Sequence, residues 1–186
     1  MNHQQTLNRA LKGIGDFSQQ QSALIGEHCA FLKVNKQETL LAAGQVCNAF
    51  LFLLTGACYQ FRKTDADPNI IDLHLAGDCV VNQLSFISQQ PSNETIAAYE
   101  NSELLVLTIQ SLHRLIALSP AFLQLAKLLQ VSTLRAEFYD NAMTPAEKYH
   151  RVLDDKPQLI QIFPLKYIAS YLKITPETLS RVRAAI

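Results

Sequence analysis

The stretch FPLKYIASYLKITPETLSRVR, residues 163–183, reads as two short helices around a tight turn. Leu165, Ile168, Ala169 and Leu172 recur at i, i+3, i+4 and i+7, which is one face of a helix, and Pro164 sits where a first-turn proline is tolerated. Thr175 can cap the free amides of a second helix, Pro176 falls at its first position, and Glu177 lies against the positive end of its dipole. Leu179 and Val182 then point inward, while Glu177, Thr178, Ser180, Arg181 and Arg183 stay mostly outside. A buried seam, with a second helix whose exposed start offers hydrogen-bonding side chains and arginine, is the layout of a helix-turn-helix. The plainer reading is a helical hairpin with a solvated polar face. Cap, turn and seam together favour the first.

Upstream of this pair, Thr144 caps a helix expected over residues 146–155, which carries Tyr149, Val152 and Leu153 towards it, and Met143-Thr144-Pro145 reads as a hinge. Before the hinge lies the longest helical segment, residues 121–141. Its early apolar positions Phe122, Leu125, Ala126, Leu128 and Leu129 cluster on one side, whereas Val131, Leu134 and Phe138 cluster roughly opposite. A helix that changes its buried face midway touches two surfaces. Leu128, Val131, Leu134 and Phe138 are therefore expected to pack against a second copy of the chain, the alternative being cover by the C-terminal segment alone.

Residues 31–108 follow a different rhythm. Short β-type runs at 31–34, 39–42, 50–54, 58–62, 70–75, 95–99 and 104–107 are separated by turn signals such as Gly44, Thr55-Gly56, Gly77-Asp78 and Pro91. Such even spacing suggests an antiparallel barrel or jelly roll, with a short helix expected within 79–89. A further helix is expected over 109–118. The first thirty residues read as helical, with Leu7, Leu11 and Ile14 on one face and Ser18 as a cap, forming a lid or brace.

Composition excludes several classes. The chain has 186 residues, 48% of them hydrophobic, enough for one well-buried core and a small appended domain. It has no apolar run long enough to span a bilayer and no signal-like N-terminus, so a cytoplasmic protein without membrane contact is expected. Cys29, Cys47, Cys58 and Cys79 lie roughly 11 to 21 residues apart with no C-x-x-C, which indicates buried free thiols and no metal site. The five histidines share no local motif, and no nucleophile elbow, phosphate-binding loop or zinc-protease signature occurs, so no enzyme activity is expected. Net charge is zero but uneven. Residues 141–186 hold seven Lys/Arg against four Asp/Glu, a net of +3, which leaves −3 for the rest. Residues 64–113 contain no Lys or Arg and seven acids, a poor setting for a buried phosphate.

Residues 166–172 with 174–183 resemble the short helix-turn-helix of Crp/Fnr-type transcription regulators. Leu40, Gly44, residues 52–54, Gly56, Gly77-Asp78 and residues 104–107 resemble, in order, the cyclic-nucleotide-binding roll of the same family. The resemblance implies an α+β protein: an antiparallel β-roll (double-stranded β-helix or jelly roll) with flanking helices over 1–118, a long dimerisation helix over 119–142, and a small helix-turn-helix domain over 143–186. The sequence ends at Ile186, where many family members add a winged hairpin, so fewer phosphate contacts are expected.

By the same resemblance the function is that of a homodimeric, sequence-specific transcription regulator on a palindromic operator in double-stranded DNA. Glu177 and Arg181 match the acid and arginine that read bases. Lys166, Thr175, Thr178, Ser180 and Arg183 complete the expected DNA-binding set. In ligand-binding members a Gly-Glu pair opens the phosphate cassette and an Arg-Ser or Arg-Thr pair follows. Here those positions fall on Val81-Asn82 and Ser92-Asn93, and all four depart. With Gln83 they outline a degenerate pocket that is not expected to hold cyclic AMP, leaving an unidentified small-molecule effector open. The cysteine spacing of family iron–sulfur clusters is missing, and the thiols and His74 read as core residues, so no cofactor is expected. The competing reading is a small-molecule-binding or protein-interaction module whose truncated helix-turn-helix no longer binds DNA.

Overall fold

The structure, a computed structural model, describes residues 3–12, 14–65, 67–129 and 143–185. Its strands are β1 (Ala30–Val34), β2 (Thr39–Leu41), β3 (Ala49–Thr55), β4 (Ala57–Arg62), β5 (Asn69–Leu75), β6 (Cys79–Val80), β7 (Thr95–Ala98) and β8 (Ser102–Thr108). In β3, AFLFLLT, every residue but the last is buried, so the strand is covered on both faces and cannot lie at a solvated surface. It sits inside a four-stranded sheet of order β1-β8-β3-β6, antiparallel throughout, with Phe52 opposite Leu105 on one side and Cys79 on the other. A second sheet has the order β2-β7-β4-β5. The two form an antiparallel sandwich with flanking helices. The two-residue β6 had no separate sequence signal, and the helix expected within 79–89 begins only after it, at Gln83.

The described chain divides into two units. The first comprises residues 1–58 and 74–130. Here α1 (His3–Leu11) and α2 (Gln19–Glu27) precede the strands, α3 (Gln83–Ser88) interrupts them and α4 (Ile109–Leu118) follows. Ser18 caps α2 in a reciprocal capping box with Gln21, as its position suggests. Leu7 and Leu11 of α1 join Phe50, Phe52, Leu53, Leu104 and Leu107 in one apolar core. Each such side chain, fully buried, contributes about 1.5–3 kcal/mol.

Residues 120–129, expected to begin a long α-helix, are instead a 3-10 helix (Pro120–Leu129). Phe122, Leu125 and Leu128 are three apart, a spacing that three residues per turn aligns on one face. Phe122 and Leu125 are buried, and Leu128, assigned above to dimerisation, is half-buried against the core of its own unit. Val131, Leu134 and Phe138 lie outside the described residues.

The second unit comprises residues 59–73 and 131–186. The sequence alone did not suggest that β4–β5 residues would group with the C-terminal helices. Those helices are α5 (Pro145–Asp155), α6 (Gln158–Ile162), α7 (Leu165–Tyr171) and α8 (Pro176–Ala184). Thr144 and Glu147 form a capping box on α5; α6 was not anticipated. Val152, Leu159, Phe163, Ile168, Ala169, Leu172 and Leu179 are buried and form the inner faces of these helices. Leu165, placed in that seam from its spacing, is 40% exposed instead, because it opens α7 and the seam begins one turn later.

Gly56 makes the turn between β3 and β4. Its φ is +83°, and a Cβ there would strike the Ser102 hydroxyl and lie 2.5 Å from the Asn101 carbonyl oxygen. Gly44 has a similar φ of +90° but open space around the corresponding position. Gly44→Ala is therefore expected to lose only the backbone preference, about 1 kcal/mol, and Gly56→Ala clearly more, since the neighbouring backbone must move. Urea midpoints of the two variants check this; equal shifts would show that the Asn101 turn yields freely.

Candidate ligand pocket and nucleic-acid interface

In the first unit the sequence-predicted pocket residues lie around the start of α3. Asn82 is its N-cap: Oδ1 accepts from the Ser85 amide at 2.9 Å, while Nδ2 donates to Glu94 Oε2 at 2.8 Å. The Ser92 hydroxyl accepts from the Glu94 amide at 3.0 Å and donates to the Glu94 carbonyl oxygen at 2.9 Å. The Ser85 hydroxyl accepts from the Cys47 amide at 2.9 Å and donates to the Gln90 carbonyl oxygen at 2.6 Å. Asn82, Ser85, Ser92 and Glu94 are all buried. Of the remaining predicted residues, Val81 is buried, Gln83 half-buried and Asn93 exposed.

The structure thus brings Asn82 and Ser92 together, but through a residue that sequence reasoning did not single out. Glu94 registered only as one of seven acids; that it would be buried had no local signal. The arrangement contains neutral donors and a carboxylate.

The thiols carry no reactive site. Burial pushes Cys29 and Cys58 up to about 12 and raises Cys47 and Cys79 as well, so all four are protonated at neutral pH and poor nucleophiles. Among the described residues no group of three or more His, Cys, Asp or Glu side chains is placed to hold a metal ion, and no helix is long and apolar enough to cross a membrane.

In the second unit α7 and α8 are joined by residues 172–175, with Lys173 in the left-handed conformation at φ 58°. Thr175 caps α8 by accepting from the Thr178 amide at 3.2 Å, and Pro176 occupies the first turn. Glu177, Ser180, Arg181 and Arg183 are exposed and Thr178 half-buried, whereas Leu179 is buried. Arg181 Nη2 donates to Thr178 Oγ1 at 3.3 Å. The free backbone amide of Glu177, then the Thr175 hydroxyl and the nearby Arg181 charge, hold the Glu177 carboxyl below its ordinary value. Thr175, Glu177, Thr178 and Arg181 are therefore one connected polar group at the start of α8.

Lys166 is placed differently. Its ammonium is 2.7 Å from Asp67 Oδ1, on the connection between β4 and β5, and this pairing raises its pKa. Asp67 is a partner that no sequence pattern disclosed.

Residues 31–119 match the family model described as cyclic nucleotide-binding domain. No curated protein matches the sequence significantly. Solved structures resemble it in fold. A cyclic nucleotide-binding domain from Methylobacillus flagellatus is 21% identical at a TM-score of 0.64, covering 83% of this chain and 84% of its own. The Thermus thermophilus catabolite activator protein is 19% identical at 0.59, covering 95% and 85%. The sensor domain of the transcriptional regulator DNR from Pseudomonas aeruginosa is 19% identical at 0.56, covering 77% and 95%. Residues 31–119 thus match the cyclic nucleotide-binding model in sequence and resemble such domains in fold, and the solved structures that the chain resembles include transcription regulators.

Proposed function

We propose that the chain is a dimeric, sequence-specific DNA-binding transcription regulator of the Crp/Fnr type, regulatory rather than catalytic, whose cyclic nucleotide-type pocket does not take cyclic AMP. The observation that carries the reading is the start of α8. A Thr175-capped helix presents Glu177 and Arg181 one turn apart and exposed, on a two-helix pair whose seam of Ile168, Ala169, Leu172 and Leu179 is buried. A helix so placed can lay its N-terminal side chains against base edges in a major groove, and a two-fold dimer would present two of them about 34 Å apart. Regulator neighbours with the same fold support this assignment. The protein-interaction alternative draws on one observation, the engagement of Lys166 with Asp67, which lowers the pull on a polyanion.

For the pocket, the composition of residues 64–113, with seven acids and no Lys or Arg, supports the reading, because that stretch offers a phosphodiester beside Asn82 and Ser92 no cation of its own. Calorimetry with cyclic AMP at millimolar concentration is expected to show no heat. Saturable micromolar binding would overturn the assignment. For the dimer, Leu134→Glu with Phe138→Glu is expected to give monomers by light scattering, and an unmutated protein that is already monomeric would remove this part of the reading.

On α8, Arg181 is proposed to make a bidentate contact with guanine, worth about 1–3 kcal/mol of discrimination, and Arg183 to hold phosphate. Selection from random duplexes should return a palindrome. Arg181→Ala is expected to relax preference at one position per half-site. Arg183→Ala should weaken all sequences alike and lower the salt slope by about one unit. Equal effects of both variants on selected and random duplexes would mean that α8 does not read bases.

A further inference from the structure

The connection between β4 and β5 spans only residues 63–68, too short for a parallel crossover, so the two strands form a hairpin. It meets α7 and the residue pair just after it at several points. The Ile70 amide donates to Ser170 Oγ at 2.9 Å, and Lys173 Nζ donates to the Ile70 carbonyl oxygen at 2.6 Å and to Asn69 Oδ1 at 3.1 Å. The Tyr59 and Tyr167 rings are 5.7 Å apart, and Ile70 is fully buried. These contacts are partly buried and hold the hairpin on the helix.

The remaining contact is of another kind. The Lys166 and Asp67 side chains are 53% and 71% exposed, so their ion pair lies in water and is weak enough to exchange. Lys166 sits in the first turn of the leading helix of the pair, the part that crosses the phosphate backbone when the second helix enters a groove.

We infer that Asp67 limits polyanion affinity: its carboxylate occupies Lys166 where a phosphate would, so that binding must exchange one anionic partner for another. This rests on the DNA reading above and adds to it a residue outside both helices. The hairpin remains seated through Ser170 and Lys173 whether or not Asp67 is engaged, so the exchange needs no rearrangement of the unit.

The test uses the full chain with Asp67→Asn, Lys166→Ala, their combination, and Asp65→Asn as a control. Asp65 is exposed on the same connection, and its substitution changes net charge by the same amount. Asp67→Asn should raise affinity for every duplex by up to about fivefold and steepen its salt dependence by about one unit. It should also elute later from a heparin column. Asp65→Asn should do clearly less, and Asp67→Asn should have no effect in the Lys166→Ala background. The inference is overturned if Asp65→Asn matches Asp67→Asn, or if the gain persists without Lys166, since either marks a general charge effect. It is overturned equally if Asp67→Asn leaves both duplex affinity and heparin elution unchanged. Should no variant bind any duplex, the DNA reading fails by itself, and the heparin comparison then decides the role of Asp67.

Discussion

A strand that is apolar on both faces has to be covered on both, and β3 is such a strand. Phe50, Phe52 and Leu54 alternate with Leu51 and Leu53, and all five are buried. Flanking β8 and β6 satisfy its backbone, α1 packs against it, and the Phe86 ring of α3 lies 4.6 Å from that of Phe50. The last contact matters most for function. It seats α3 on the core, and the bond from the Cys47 amide to Ser85 Oγ secures the helix to the approach to β3. The candidate pocket is therefore shaped by core packing before any ligand is considered.

Within that setting Glu94 is held in place by hydrogen bonds. Burying a carboxylate is unfavourable unless donors surround it, and here the Asn82 side-chain amide serves as one such donor. Asn82 caps α3 with the other end of the same side chain, so the acid, the cap and the helix are held as a unit.

Much of the architecture was legible because it is local. Ser18, Thr144 and Thr175 cap helices from their sequence positions, Gly56 turns the chain where β-type runs break, and Leu7 with Leu11 falls on one buried face. What escaped depends on partners distant in sequence. The pairing of Asp67 with Lys166 joins residues 99 apart, and the burial of Glu94 depends on Asn82, 12 residues before it across a helix and a turn. No periodicity encodes either. The 3-10 helix escaped for a different reason: over ten residues an apolar spacing of three fits both helical periods, and only packing of Phe122 and Leu125 decides between them.

The same distinction divides the two helices of the C-terminal pair. On α8, Thr175, Thr178, Glu177 and Arg181 are organised by contacts within four residues of one another, so their arrangement travels with the helix wherever it goes. On α7 and just after it, Lys166, Ser170 and Lys173 are organised by a hairpin about 100 residues earlier in the chain. Preformed local geometry suits base reading, because a contact that discriminates needs side chains already aimed. A long-range anchor instead ties the leading helix to the β4–β5 hairpin of its own unit, so the position of α7 is set by tertiary contacts where that of the α8 side chains is set locally.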